Sequence, residues 1–157
     1  MKTAMELRKE GRLKESNERL LKLVKENPEN PQLNYQVAWS FDVLGLESEA
    51  VPFYENAIKL GLPDEDLEGA LLGLGSTYRT LGEYEKSETT LLKGIELFPE
   101  NHALKAFYAM ALYNLGSYAE AMELLLKSLA GTSSDTSLQR YKRAIEFYAD
   151  KLDETWK

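Results

Sequence analysis

Four glycines divide the chain almost evenly. Gly11, Gly45, Gly82 and Gly116 lie 34, 37 and 34 residues apart. Each follows a short apolar-ended segment and opens a similar run: GRLKESNERLLKLVKENPEN, GLESEAVPFYENAIKLGLPD, GEYEKSETTLLKGIELFPEN and GSYAEAMELLLKSLAG. This period is too long for a coiled-coil heptad and fits one helix–turn–helix unit. Such a unit buries its apolar face only by stacking on its neighbours. The glycines fall where a helix must end, and a glycine can take positive φ there without a Cβ clash.

Within each unit, apolar and small residues recur at helical spacing, as in Val37, Ala38, Phe41 and Leu44, then Ala50, Tyr54, Ala57 and Ile58. The small ones let two antiparallel helices approach, and the large ones fill the gaps between units. Asn30–Pro31 reads as an N-cap followed by proline at the first helical position, and Asn101 and Asp64 are further cap candidates.

The stretch LGLGST at 72–77 has the look of a phosphate-binding loop. Such a loop needs a glycine followed by lysine and a hydroxyl residue, after a strand. None of the 10 glycines is followed by lysine. The stretch is expected inside a packed helix pair instead.

The positions Leu74–Gly75, Tyr78, Ser87, Leu91, Gly94 and Pro99 resemble the L-G-x-x-Y … small … large apolar … small … P pattern of the tetratricopeptide repeat family. Equivalent positions are Ala38, Phe41, Ala50, Tyr54 and Ala57, then Ala109, Leu112, Ala121, Leu125 and Ser128. The resemblance covers about residues 2–131 and is nearest in pattern to short stand-alone bacterial members. It implies an all-α, right-handed helix–turn–helix solenoid of about three and a half units. Their bounds are 1–30 (partial), 31–67, 68–101 and 102–134, within a single domain 1–157. Departures are Asn34 and Lys105 at a position usually aromatic or apolar, and Leu62 with Pro63 where proline is usual. There are also three extra residues near Glu65–Leu67, expected to lengthen the next helix at its start, and Pro52 one turn inside a helix.

Beyond Gly131 the pattern stops. TSSD reads as a loop or cap. In the segment after it, Leu138, Tyr141, Ile145, Tyr148 and Leu152 make one helical stripe. A solenoid's last repeat exposes an apolar side, so a single capping helix over 135–156 is expected to cover it.

Composition narrows the function. With no cysteine there is no disulfide framework or thiolate site, and the single histidine, His102, excludes two-histidine zinc motifs; it follows a cap position, where it is expected to be solvated, so no Ser/His/Asp set is built on it. The net charge of −7 is uneven: +2 over residues 1–30, −9 over 31–134 and zero over 135–157. An acidic centre repels nucleic-acid phosphates, so no nucleic acid is expected. No stretch reaches the roughly 20 apolar residues of a membrane span. The acidic run Asp64, Glu65, Asp66 and Glu68 lacks the glycine and spacing of a calcium loop and suits a helix first turn. No metal, cofactor or catalytic residue is expected, and a cytoplasmic, non-enzymatic protein is the default.

The resemblance further implies that first helices line a concave face. By offset, that face carries Tyr35, Gln36, Trp39 and Asp42, then Leu72, Ser76 and Arg79, then Phe107, Met110 and Tyr113. Aromatic and methionine residues around the small centre of Gly69, Gly73 and Ser76 suit an apolar side chain or helix of a partner protein. Arg79, with Arg8 and Lys9, suits a carboxylate. The family's carboxylate clamp of lysine and asparagine is missing, because its positions hold Tyr35, Gln36, Trp39, Gly69 and Gly73. The expected function is a scaffold that binds a peptide or helix of another protein. The alternative is a homodimer made through the groove or the C-terminal helix.

Overall fold

The computed structural model describes residues 2–156, and among these every regular element is a helix. Eight helices form four antiparallel pairs: α1 (Ala4–Lys9) with α2 (Leu13–Glu26), α3 (Pro31–Asp42) with α4 (Glu47–Leu60), α5 (Asp64–Thr80) with α6 (Tyr84–Leu97), and α7 (His102–Asn114) with α8 (Tyr118–Thr132). Two short helices follow, α9 (Thr136–Arg140) and α10 (Lys142–Tyr148).

Local chemistry sets these boundaries. Gly11, Gly45, Gly82 and Gly116 each turn the chain between paired helices at φ of 76°, 72°, 79° and 81°. The Asn30 and Asn101 side chains accept from the Leu33 and Leu104 amides at 2.9 Å each, as N-caps do. Thr3 and Glu6 form a capping box on α1. Asp64 is not a cap. Pro63 precedes the helix without a side-chain bond, and Asp64, Glu65 and Asp66 form the acidic first turn of α5. The extra residues do lengthen that helix, to 17 residues against 12 in α3 and 13 in α7. Pro52 is accommodated inside α4, which runs on to Leu60.

Within a pair, small residues bring the helices together. Gly75 of the LGLGST stretch lies against Leu91, so a Cβ there would collide with the leucine side chain. The Ser87 hydroxyl donates to the Gly75 carbonyl at 2.6 Å, and Ser16 donates to the Ala4 carbonyl at 2.7 Å in the same way. The stretch is therefore the inside of a helix pair. Asn34, polar where an apolar residue is usual, is buried but satisfied. It donates to the Pro28 and Asn30 carbonyls at 2.9 and 2.8 Å and accepts from Asn56 at 2.9 Å.

Between pairs, α3 touches α5 and α5 touches α7, whereas second helices make no comparable contact with one another. Neighbouring first helices are thus the closer-packed layer, which puts them on the inside of the curve. The expected solenoid is observed.

The C-terminal segment differs from expectation. It is two short helices broken at Tyr141, where the backbone turns at φ −105° and ψ 13°, and helix ends at Tyr148. Asp135 caps α9 by accepting from the Leu138 amide at 3.1 Å. The stripe from Leu138 to Leu152 does not form a buried seam, since Tyr141, Tyr148 and Leu152 are all exposed. The break lets α10 fold back onto α8 and bury Ala149. Phe147, Tyr148 and Trp156 pack on one another, with ring centroids 5.2 to 6.3 Å apart.

Candidate functional site

The shared helix ends bring equivalent residues of the first helices into register. Six residues before each turn glycine stand Met5, Trp39, Ser76 and Met110; three before it stand Arg8, Asp42, Arg79 and Tyr113. All the predicted binding residues therefore lie on four neighbouring first helices, but the structure gathers them into two groups.

The first group surrounds Trp39, which is 42% exposed. Tyr35 stacks on it with centroids 6.4 Å apart. The Arg8 guanidinium sits 4.4 Å from the Trp39 ring centroid, in cation–π contact. Arg8 also donates to the Gln36 side chain at 2.9 Å and to the Gln36 carbonyl at 3.2 Å. Burial pushes the Arg8 guanidinium below its ordinary pKa. Arg8 and Gln36 are thus partners of each other, and the tryptophan remains exposed despite both contacts. Asp42 accepts from the Tyr54 hydroxyl at 2.8 Å. Glu47 lies beside that carboxylate and near Thr77. Burial first, and then the Asp42 carboxylate, push its pKa up to about 7.

The second group surrounds Tyr113, 63% exposed, with Met110 also exposed. Arg79 donates to the Asn114 side chain at 3.3 Å, and its Nε is buried without a partner. Among the described residues no carboxylate pairs with Arg79. Met110, Tyr113, Asn114 and Arg79 line one side of a pocket of about 460 Å³ whose other wall is Tyr118, Ala121, Met122 and Leu125 of α8.

The centre between these groups is not the open floor the sequence suggests. Gly69 makes room for the Tyr35 hydroxyl, and a Cβ on Gly73 would stand 2.6 Å from the Tyr54 hydroxyl. The glycines admit the chain's own tyrosines. Leu72 and Phe107 are half-buried and pack into the cluster of Leu91, Leu104 and Ala111, while Ser76 stays half-buried between the two groups.

Leu125, expected among the core positions, is exposed, as are Tyr118 and Met122. Sequence reasoning missed this α8 wall. The signal was present, since α8 carries large apolar residues at every turn, but nothing in the sequence says that no helix covers them. Among the described residues there is no cluster of three or more His, Asp or Glu suited to a metal, and no helix is long and apolar enough to cross a membrane.

Residues 31–152 match the family model described as Tetratrico peptide repeat, which thus extends past Gly131 and beyond the end of α10. The chain is 27% identical over 108 residues to Superkiller protein 3 of Saccharomyces cerevisiae, across 64% of this chain and 7% of that protein. It therefore spans a small fraction of that relative. Its fold is similar to the crystal structure of MamA, with a TM-score of 0.73 at 16% identity, covering 95% of this chain and 93% of that one. Repeats of this type generally mediate contact between proteins. On the repeat pattern, the paired-helix architecture and the match over most of its length, the chain belongs to the tetratricopeptide repeat family.

Proposed function

We infer that the protein is a non-enzymatic binding scaffold, and that the concave layer of first helices receives a peptide or helix of another protein. The observation that carries this reading is the exposure of Trp39, Met110 and Tyr113 on that one layer, where large apolar residues gain most from a partner. Trp39 and Tyr35 form the anchor at one end, with Arg8 and Gln36 fixing the ring. Met110 and Tyr113 form the anchor at the other. Arg79, held by Asn114 alone, supplies a guanidinium for a partner carboxylate. Ser76 lies half-buried between them, and Asp42, which accepts from Tyr54, flanks the first anchor.

The test is affinity capture from the native host's lysate with the wild type beside a Trp39→Ala/Tyr113→Ala variant, after circular dichroism shows equal helix content. A protein retained by the wild type and lost from the variant supports the groove. Equal retention by both moves binding to another surface.

A further inference from the structure

The second unit departs from the other three at its inner joint. α5 lies in the cleft between α3 and α4, as α7 lies in that between α5 and α6, while the cleft between α7 and α8 receives no helix among the described residues. Only the α3–α4 pair has acids on both sides of its turn glycine, Asp42 before Gly45 and Glu47 after it. The same two positions hold Arg8 and Leu13, Arg79 and Tyr84, and Tyr113 and Tyr118 in the other units. Further along α4 stands Tyr54, where each of the other units has leucine.

These departures meet at one point. The Tyr54 hydroxyl donates to Asp42 at 2.8 Å, and Gly73 of α5 leaves room for its ring. The Glu47 carboxyl lies within hydrogen-bonding reach of Asp42. The Thr77 hydroxyl, buried on α5 and without another partner, stands beside Glu47. Among the described residues no Lys, Arg or His forms an ion pair with either carboxyl. Arg8 of α1 acts on the Tyr35 and Tyr54 hydroxyls but is held by Gln36, and Asp66 of α5 acts on Tyr35. Two carboxyls in contact, with no cation to neutralise them, hold one proton more readily than two charges. Burial first, and then Asp42, accordingly push Glu47 up to about 7. Burial and then Asp42 push the Tyr54 hydroxyl above its ordinary value, so it stays a neutral donor. The pair also reaches the first anchor. The Tyr54 ring lies 6.2 Å from that of Tyr35, which stacks on Trp39 at 6.4 Å.

We propose that one proton, held between Asp42 and Glu47, operates this joint. With the proton bound, the turn between α3 and α4 is drawn onto α5, and Tyr54 and Tyr35 hold Trp39 in place. Its loss sets two carboxylates against each other, loosens the ring stack and uncovers Trp39. A partner seated on Trp39 would then meet a firm anchor below neutral pH and a loose one above it. That last consequence rests on the groove reading; the joint itself does not.

The test needs no partner. The chain has 2 tryptophans, so Trp156→Phe leaves Trp39 as the sole reporter. Acrylamide quenching of its emission is followed from about pH 5 to about pH 9, either side of the Glu47 value. Quenching is expected to rise with pH along one sigmoid with its midpoint near 7. Glu47→Gln, which keeps the hydrogen bond and cannot ionise, is expected to hold the weak quenching of the acid form throughout. Asp42→Asn removes the opposing charge and is expected to move the midpoint to lower pH. Circular dichroism checks that each variant keeps its helix content. Quenching that is flat with pH in the wild-type pair overturns the proposal. So does a transition that survives Glu47→Gln, or an emission shift with constant quenching, which would be a field effect without movement. A flat curve would leave the groove reading standing, and a failed capture of a partner would leave this joint standing.

Discussion

The cleft that α7 fills and the cleft beside it that stays open are made from the same repeat positions. Leu91 in the first has no exposed surface; Leu125 in the second exposes 42% of its own. Glu47 of the α3–α4 cleft corresponds to Tyr118 of the open one, and Trp39 corresponds to Met110. The comparison teaches that in a stacked-repeat chain a residue's burial is decided by the next unit along. The same apolar side chain is core in one repeat and surface in the last.

Leucine truncation tests this most strongly. Leu91→Ala is expected to cost about 3 kcal/mol in urea unfolding, from lost burial and the cavity left behind. Leu125→Ala is expected to cost under about 1 kcal/mol in dilute monomer, because no second surface packs on it. Equal losses would mean that the open cleft is covered in solution. Glycine substitutions come next. Gly73→Ala pushes a methyl into the Tyr54 hydroxyl and ring in a filled cleft, for an expected loss of about 2 kcal/mol. Gly131→Ala near the end of α8 meets nothing within 4 Å and is expected to stabilise by up to about 1 kcal/mol through helix propensity. A destabilised Gly131→Ala would break the contrast.

Acidity gives a third comparison. The folded Glu47 carboxyl titrates near 7, above its ordinary value of 4.5. Folding therefore takes up protons between those values, and this group's contribution to stability is complete at the lower end and lost as pH rises through about 7. Thermal melts of Glu47→Gln against wild type at several pH values are expected to show that part of the slope disappear. A Tyr118→Phe variant in the open cleft is expected to leave it intact. The smallest effect is at Trp39. Losing the Arg8 contact in Trp39→Ala is expected to cost about 0.5–1 kcal/mol, while Met110→Ala, with no cation over it, costs less by the same melts.

Much of this architecture was legible. The four glycines gave the period, and each takes the positive φ that a helix end needs. Asn30 and Asn101 announced their caps, and Gly75, Ser87 and Leu91 announced a close helix pair. Asp64 misled because its acid chemistry suits both a cap and a first turn. The C-terminal stripe misled for a deeper reason: periodicity tells which residues share a face, not whether a surface waits for that face. Leu138 to Leu152 had none along one straight line, and the chain breaks at Tyr141 to bury Ala149. On the candidate face the row of Trp39, Ser76 and Met110 was readable, but the use of Gly69 and Gly73 by Tyr35 and Tyr54 was not. That depends on where side chains of the previous pair reach.

The hydroxyls of Ser16 and Ser87 occur in the first and third pairs, where they tie one helix to the carbonyl of the other. In the second and fourth pairs the same position is Ala50 and Ala121, which offer contact but no bond. A hydrogen bond fixes axial position to within tenths of an ångström, whereas a methyl group tolerates a small slide. The α3–α4 pair is pinned by other bonds, Asn56 to Asn34 and Tyr54 to Asp42, whereas among the described residues no side-chain hydrogen bond joins α7 to α8. Bending under load would therefore concentrate in α7–α8, the pair that carries Tyr113.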